Sequence, residues 1–270
     1  MPLFHIIILA IVQGITEFLP VSSSGHLLLT HHLLEGGAAS LCWEENRIFD
    51  VAVHVGTLAS VLVYFRRDLI VMAHGLRDFN SKGFRLMMMV GLASLPVIAG
   101  GLVMQMTKPS FLCLIETMAW TTLIFGALLM FADYRPARKT LEDLRWKQAL
   151  LIGLAQVLSL VPGTSRSGIT MTAGRFLGYT RTEAARFSLL MSIIASAGAG
   201  VVGGADLVKS GNVTLGTDAV LAVGLSFIAG LGAISFMMRW LQKSTFAIFA
   251  IYRIILGLAL LGLIYSGVLV

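Results

Sequence analysis

Three stretches of this chain, Leu86–Met106, Phe187–Ala205 and Ala219–Met238, run for about twenty residues without one charged side chain. A segment of that length and polarity is what a hydrocarbon core about 30 Å thick selects as a helix. Three further windows, Phe49–Phe65, Phe111–Ala132 and Phe246–Tyr265, come close to the same standard. Composition agrees: 57% of the 270 residues are hydrophobic and 13% charged, about half the roughly 25% charge of a soluble domain. So few charges cannot make a polar skin. A disordered chain, a nucleic-acid-binding module and an ordinary cytosolic enzyme are excluded. The first residues, Met1 to His5, lack a basic n-region and read as a retained membrane segment rather than a signal peptide. Cys42 and Cys113 show no metal-type spacing.

Two other apolar stretches are too short to span. Leu3–Ile15 runs into Thr16-Glu17, Pro20 and a Ser-Ser-Ser-Gly-His cluster, then resumes at Leu27–Leu29. Ala149–Val161 runs into Pro162-Gly163 and Thr-Ser-Arg-Ser-Gly, then resumes at Ile169. Stretches of this length suit re-entrant helix–loop–helix segments, because broken backbone at membrane depth is tolerated where it lines a protein cavity. The expected fold is therefore an all-α integral membrane protein with six full spans and two re-entrants.

Charge counting fits this topology. With the first re-entrant and the loop near 35–48 on one face, segments 66–85, 133–147, 179–186 and 239–245 fall on the other. They hold fourteen Lys and Arg, against Arg47, Lys108 and Lys209 on the first face. The basic face is cytoplasmic by the positive-inside rule, so both termini are expected outside. Each re-entrant then precedes three spans. The single membrane domain, 1–270, divides into inverted halves of about 1–137 and 138–270, with sites expected where the breaks meet. At an offset of 143, Gln13 falls on Gln156, Thr16 on Ser159, Ser22 on Ser165, Ser24 on Ser167 and Gly25 on Gly168.

The few charges left inside the membrane carry the chemistry. Gln13 and Glu17, four apart, share a helix face, and Pro20 stops that helix. Three serines, Gly25 and His26 follow. A carboxylate at this depth is costly without a partner and is a functional candidate by default; the serines alone could simply cap a helix. In the second break, glycines, hydroxyls and Arg166 at a helix start read as an oxyanion cradle. No Walker A lysine follows. A structural Glu17–Arg166 ion pair is compatible with that reading. Asp50 and His54 share a face and can line the same cavity. Arg253, inside the last span, can snorkel or pair with an acid such as Glu116. Arg175 and Glu183 read as interfacial, and Met87–Met89 as lipid-facing or packing material.

These two segments together resemble the undecaprenyl-diphosphate phosphatase, or bacitracin-resistance protein, family. The first family motif, Glu or Gln, three residues, Glu, then Phe-Leu-Pro-Val-Ser-Ser-x-Gly-His, matches Gln13, Glu17 and Phe18 to His26. The second, Pro-Gly-x-Ser-Arg-Ser-Gly with a Thr two residues on, matches Pro162 to Gly168 and Thr170. Phe249-Ala250-Ile251-Tyr252-Arg253 fits a third family segment. The resemblance covers essentially the whole chain. It implies a bacterial inner-membrane hydrolase that converts undecaprenyl diphosphate to undecaprenyl phosphate and phosphate, recycling the carrier for peptidoglycan synthesis and conferring bacitracin resistance. It also implies a divalent cation, Mg2+ or Ca2+, and inverted repeats. Arg166, Ser165, Ser167 and Thr170 would hold phosphate, with Ser22, Ser24, Gly25, Gly163 and Gly168 around it. Glu17 and Gln13 would hold the metal; Gln13, a neutral amide where the family can have Glu, cannot be a base. Ser23 or a neighbouring serine would attack with His26 as base, and a His26 nucleophile or activated water stays open. So do a homodimer and the face to which the site opens. Inverted repeats also suit a transporter or flippase of anionic lipids. An intramembrane serine protease, suggested by Ser-Ser-Gly-His, would have no use for Arg166.

Overall fold

The computed structural model describes residues 3–34, 47–107, 112, 114–209 and 217–268, and the regular elements among them are all helical. Cys42, Cys113 and most of the loop near 35–48 lie outside the described residues, as does the Asp50 side chain. The helices are α1 (Leu3–Phe18), α2 (Ser23–Leu34), α3 (Arg47–Tyr64), α4 (Arg66–His74), α5 (Lys82–Thr107), α6 (Ile115–Asp133), α7 (Trp146–Val157), α8 (Arg166–Phe176), α9 (Arg181–Lys209), α10 (Thr217–Lys243) and α11 (Ala247–Tyr265).

Four of them, α5, α6, α10 and α11, are long and apolar enough to cross a membrane. Leu95, Leu102 and Val103 on α5, Ile228 on α10 and Ile255 on α11 are exposed. Rows of bare aliphatic side chains on such helices belong in hydrocarbon, and the chain is a multi-pass membrane protein. Of the methionine cluster, Met87 and Met89 pack on the core while Met88 is exposed. The two short apolar stretches form helix–break–helix pairs, α1–α2 and α7–α8. The basic segment 66–85, which the sequence put on one face without a structure of its own, contains α4.

Pairing of the helices positions the breaks. α1 packs on α10 and α7 on α5; α3 packs on α9 and α10; α9 packs on α5; α6 packs on α11. The last pair approaches closely through Gly126 and Gly257. A Cβ on Gly126 would stand 2.8 Å from Arg253 Cβ, and one on Gly257 would stand 2.8 Å from Leu123 Cβ. Small residues let membrane helices gain dispersion contact where no hydrophobic drive acts between them.

Segments that alternate crossing puts on one face do gather. Arg186 of α9 pairs with Asp68 of α4. Lys82 Nζ meets Glu142 Oε1 at 2.7 Å, and Arg85 Nη2 donates to Leu144 O at 2.6 Å. Asp133, at the end of α6, accepts from Arg181 Nε at 2.6 Å and from the backbone N–H of Phe246 at 2.9 Å. Nearby, burial and the Asp143 charge push the Tyr179 phenol up to about 12, so it stays a hydroxyl that donates to Gln148 Oε1 at 2.7 Å. Phe18, Leu129, Leu144, Phe187 and Phe246 belong to the largest buried cluster.

Candidate active site

Both breaks are built the same way. Proline interrupts the chain, at Pro20 and Pro162, because its ring removes a helical N–H and crowds the preceding turn. A serine then takes a left-handed conformation, Ser22 at φ 77° and Ser165 at φ 68°. An L-residue there costs about 1–2 kcal/mol. Each hydroxyl recovers part of that by accepting from the backbone N–H three residues on: Gly25 N to Ser22 Oγ at 3.4 Å, and Gly168 N to Ser165 Oγ at 3.1 Å. A helix cap of this kind contributes about 1 kcal/mol. These bonds start α2 and α8. Gly163, at φ 88°, has no room for a side chain: a Cβ would stand 2.2 Å from Thr121 Oγ1.

The two breaks meet at Glu17. Its Oε1 accepts from Arg166 Nη2 at 2.6 Å. Its Oε2 accepts from Ser23 Oγ at 2.7 Å and from Gln13 Nε2 at 3.0 Å. Glu17 is 9% exposed and Gln13 fully buried. Arg166 Nη1 turns to α9, donating to Ser192 O at 3.1 Å and Ser196 Oγ at 3.2 Å. Ser167 Oγ donates to Leu19 O at 2.9 Å, a second tie between the breaks. A carboxylate this buried is tolerable only because charge-assisted donors replace its hydration.

His26 lies on the other side of Ser23. Its Nδ1 is 2.7 Å from Ser22 O and its Nε2 is 2.6 Å from Tyr252 Oη. A carbonyl only accepts, so Nδ1 carries the proton. In the neutral ring Nε2 then accepts from the tyrosine hydroxyl. Ser23 is thus joined to Glu17 rather than to His26. His54 Nε2 reaches Gln13 Nε2 at 3.4 Å, bringing α3 into the same cluster.

The other cradle residues are less open. Thr170 Oγ1 pairs with Ser188 Oγ at 2.7 Å. Ser165, Ser167 and Thr170 are all buried in the first turns of α8, while Ser24 is exposed and Ser23 half-buried. Arg253 does not snorkel or meet Glu116. Glu116 instead accepts from Tyr265 Oη at 2.8 Å. Arg253 is fully buried, and its Nη2 donates to Gly163 O at 2.9 Å and Thr164 O at 2.8 Å. Two carbonyls in a break, unserved by any helical ladder, outcompete a distant surface carboxylate. Arg175 is deeply buried and donates to the carbonyls of Asp133, Arg135 and Tyr179, all in the polar segments 133–147 and 179–186. Glu183 caps the turn at Leu141 N.

Sequence reasoning missed Ser188, Ser192 and Ser196, and gave Tyr252, named in the third family segment, no role. The serines recur at four-residue spacing along α9, which marks one polar stripe on an otherwise apolar helix. Nothing local to Tyr252 points to His26, 226 positions away.

Among the described residues no cluster of three or more His, Cys, Asp and Glu forms a self-sufficient metal cage. The oxygen donors nonetheless suit a hard cation. Gln13 Oε1 is buried without a hydrogen-bond partner, beside one carboxylate and several hydroxyls. Magnesium is usually held by one or two carboxylates and completed by substrate phosphates and water.

Known proteins match this chain along its length. The family model for bacitracin resistance protein BacA matches residues 6–259. An undecaprenyl-diphosphatase of Ruegeria pomeroyi is 43% identical over 98% of this chain and 100% of its own. One from Jannaschia sp. is 42% identical with the same coverage. Undecaprenyl-diphosphatase 1 of Rhodospirillum rubrum is 43% identical over 99% of this chain and 97% of its own. With both breaks inside the matched region, this chain belongs to the bacitracin resistance protein BacA family.

Proposed function

We propose that this membrane protein hydrolyses undecaprenyl diphosphate to undecaprenyl phosphate and inorganic phosphate, and so confers bacitracin resistance by recycling the lipid carrier. The observation that carries this reading is the junction of the two breaks, where one carboxylate, Glu17, binds both the Arg166 guanidinium and the Ser23 hydroxyl. A transporter needs an anion site but no activated hydroxyl.

The chemistry follows from the contacts. The incoming diphosphate competes with Glu17 for Arg166, which matches phosphate oxygens in a fork. Ser23 Oγ attacks the terminal phosphorus while its proton passes to Glu17. The bond from that phosphorus to the bridging oxygen breaks, and undecaprenyl phosphate leaves with the electron pair. Water then attacks the serine-bound phosphorus, the bond from Ser23 Oγ to phosphorus breaks, and Glu17 returns the proton to Oγ as phosphate leaves. Arg166 stabilises charge on the transferring group, the main demand in phosphoryl transfer. Glu17 and Gln13 Oε1 would hold Mg2+ or Ca2+ against the substrate. When bound, the cation would neutralise phosphate charge.

The same reading includes the topology. Six spans and two re-entrants in inverted halves agree with the exchange of partners: α1 on α10 answers α7 on α5, and α3 on α10 answers α9 on α5. The site then lies near the midplane of the bacterial inner membrane. The gathered basic segments face the cytoplasm and the termini face outside.

Purified protein in detergent, with no second compartment, should release phosphate from the lipid diphosphate, and a chelator should suppress release. No release with Mg2+ or Ca2+ present would defeat the phosphatase reading. An acid-stable phosphorylated enzyme that disappears in Ser23→Ala would locate the nucleophile. An acid-labile one would move it to His26, and none at all would favour water.

A further inference from the structure

Two consecutive residues of α11 reach the two breaks separately. Tyr252 and Arg253 point about 100° apart around the helix. Tyr252 stacks on His26, with ring centroids 5.6 Å apart and planes 18° from parallel, and bonds its Nε2 at 2.6 Å. Through Nδ1, His26 is anchored to the carbonyl of left-handed Ser22 at 2.7 Å. Arg253 holds the carbonyls of Gly163 and Thr164 in the second break.

The energetics of Arg253 make it unusual. It is fully buried, and no carboxylate is paired with it among the described residues. Among the described residues its Nε and Nη1 have no hydrogen-bond partner. A buried guanidinium without a counter-ion is strongly unfavourable. Simple packing would be served better by leucine or methionine. What the guanidinium does, and an aliphatic chain cannot, is hold two backbone carbonyls of a non-helical turn that leads directly into Ser165 and Arg166. The fit is tight: a Cβ on Gly168 would stand 2.6 Å from Arg253 Nη1. The helix bearing both residues is itself fixed, since Gly126 of α6 lies against Arg253 Cβ.

We propose that Tyr252 and Arg253 are a positioning pair through which one turn of α11 sets the two breaks against each other, and with them Ser23–Glu17 against Arg166. This rests on the phosphatase reading. Neither residue contacts Glu17, Ser23 or Arg166 in the described hydrogen bonds. Each acts through the group it holds, Tyr252 through His26 and Arg253 through the 163–164 turn.

The test is steady-state phosphate release from undecaprenyl diphosphate by purified wild-type protein and by Tyr252→Phe, Arg253→Met, Arg253→Lys and Ile255→Ala. Ile255 is an exposed neighbour on α11. Misplacement by an ångström lowers turnover more than affinity, so kcat should fall about 10-fold in Tyr252→Phe and about 100-fold in Arg253→Met, with KM within about 2-fold. Arg253→Lys, which restores a donor to the carbonyls, should recover part of the loss, and Ile255→Ala should match wild type. Wild-type kcat in folded Tyr252→Phe would overturn the pair, as would an equal loss in Ile255→Ala. If Arg253→Met fails to fold, Arg253→Lys and Tyr252→Phe still decide. A second readout is nitrogen NMR of labelled imidazoles, with His26 assigned through His26→Asn. The His26 Nε2 signal should move in Tyr252→Phe. An inactive wild-type protein would defeat the phosphatase reading, whereas an unmoved His26 signal would defeat the pair whatever the activity.

Discussion

The two breaks share a backbone and divide the chemistry. Ser22 and Ser165 are the non-glycine residues with positive φ among the described residues, and they fall at the same offset of 143. Each caps the N–H three residues on, and each meets the hydroxyl two residues on, Ser24 at 3.4 Å and Ser167 at 3.2 Å. Around that shared frame the side chains differ. Where the first break has Glu17, Ser23 and His26, the second has Leu160, Arg166 and Ile169. One break supplies acid, hydroxyl and imidazole; the other supplies a cation. The glutamines record the same divergence. Gln13 Nε2 bonds Glu17, but Gln156, with a leucine four residues on, is buried with neither amide atom partnered. The two breaks thus need each other to pair a carboxylate with a guanidinium, because neither break carries opposite charges of its own.

The largest effect should come from removing either half of that division. Glu17→Ala and Arg166→Ala should each lower phosphate release by about 10³-fold, the scale of losing a preorganised charge contact. Full activity in either would mean that the breaks do not work as one site. The glutamines give the sharper comparison. Gln13→Leu should cost about 10-fold or more in activity. Gln156→Leu should leave activity within about 2-fold and not lower the melting temperature, since deleting an unpaired buried amide is nearly neutral or stabilising. Equal losses at the two positions would erase the distinction between the halves. At the shared serines, Ser165→Ala loses a cap while keeping a strained L-residue, so it should destabilise by about 1–2 kcal/mol in denaturant titrations. Ser165→Gly should cost only a few tenths, because glycine accepts φ 68° without penalty. Smallest of all is Lys82→Ala. It removes an exposed ion pair that joins α5 to Glu142 and should change stability by less than about 1 kcal/mol without altering turnover.

Much of this was legible residue by residue. The six apolar windows fall on α3, α5, α6, α9, α10 and α11, and four of these helices, α5, α6, α10 and α11, are long and apolar enough to cross a membrane. Pro20 and Pro162 marked both interruptions, and the four-residue spacing of Gln13 and Glu17 anticipated their bond. The gathering of basic segments followed from alternate crossing of the apolar windows. Other features were not legible. The helix at 66–74 was given no structure from sequence because it is too short and polar to read as a span, and it packs against α5. Arg253 looked like a partner for Glu116 because only a carboxylate is visible as a counter-ion in a sequence; backbone carbonyls are present at every position and announce nothing.

The chain's own order of residues therefore determined which segments are helical, where two of them break, and which scarce polar groups stand at those breaks. Periodicity, proline and segment length act over a few turns and need no distant partner. The sequence already allowed the Glu17–Arg166 pair, formed across 149 positions; only the tertiary structure decided that Ser23 meets Glu17 instead of His26 and that α11 holds both breaks. Those outcomes depend on which buried donor finds which acceptor first within hydrogen-bond reach, a competition settled by the packing of whole helices.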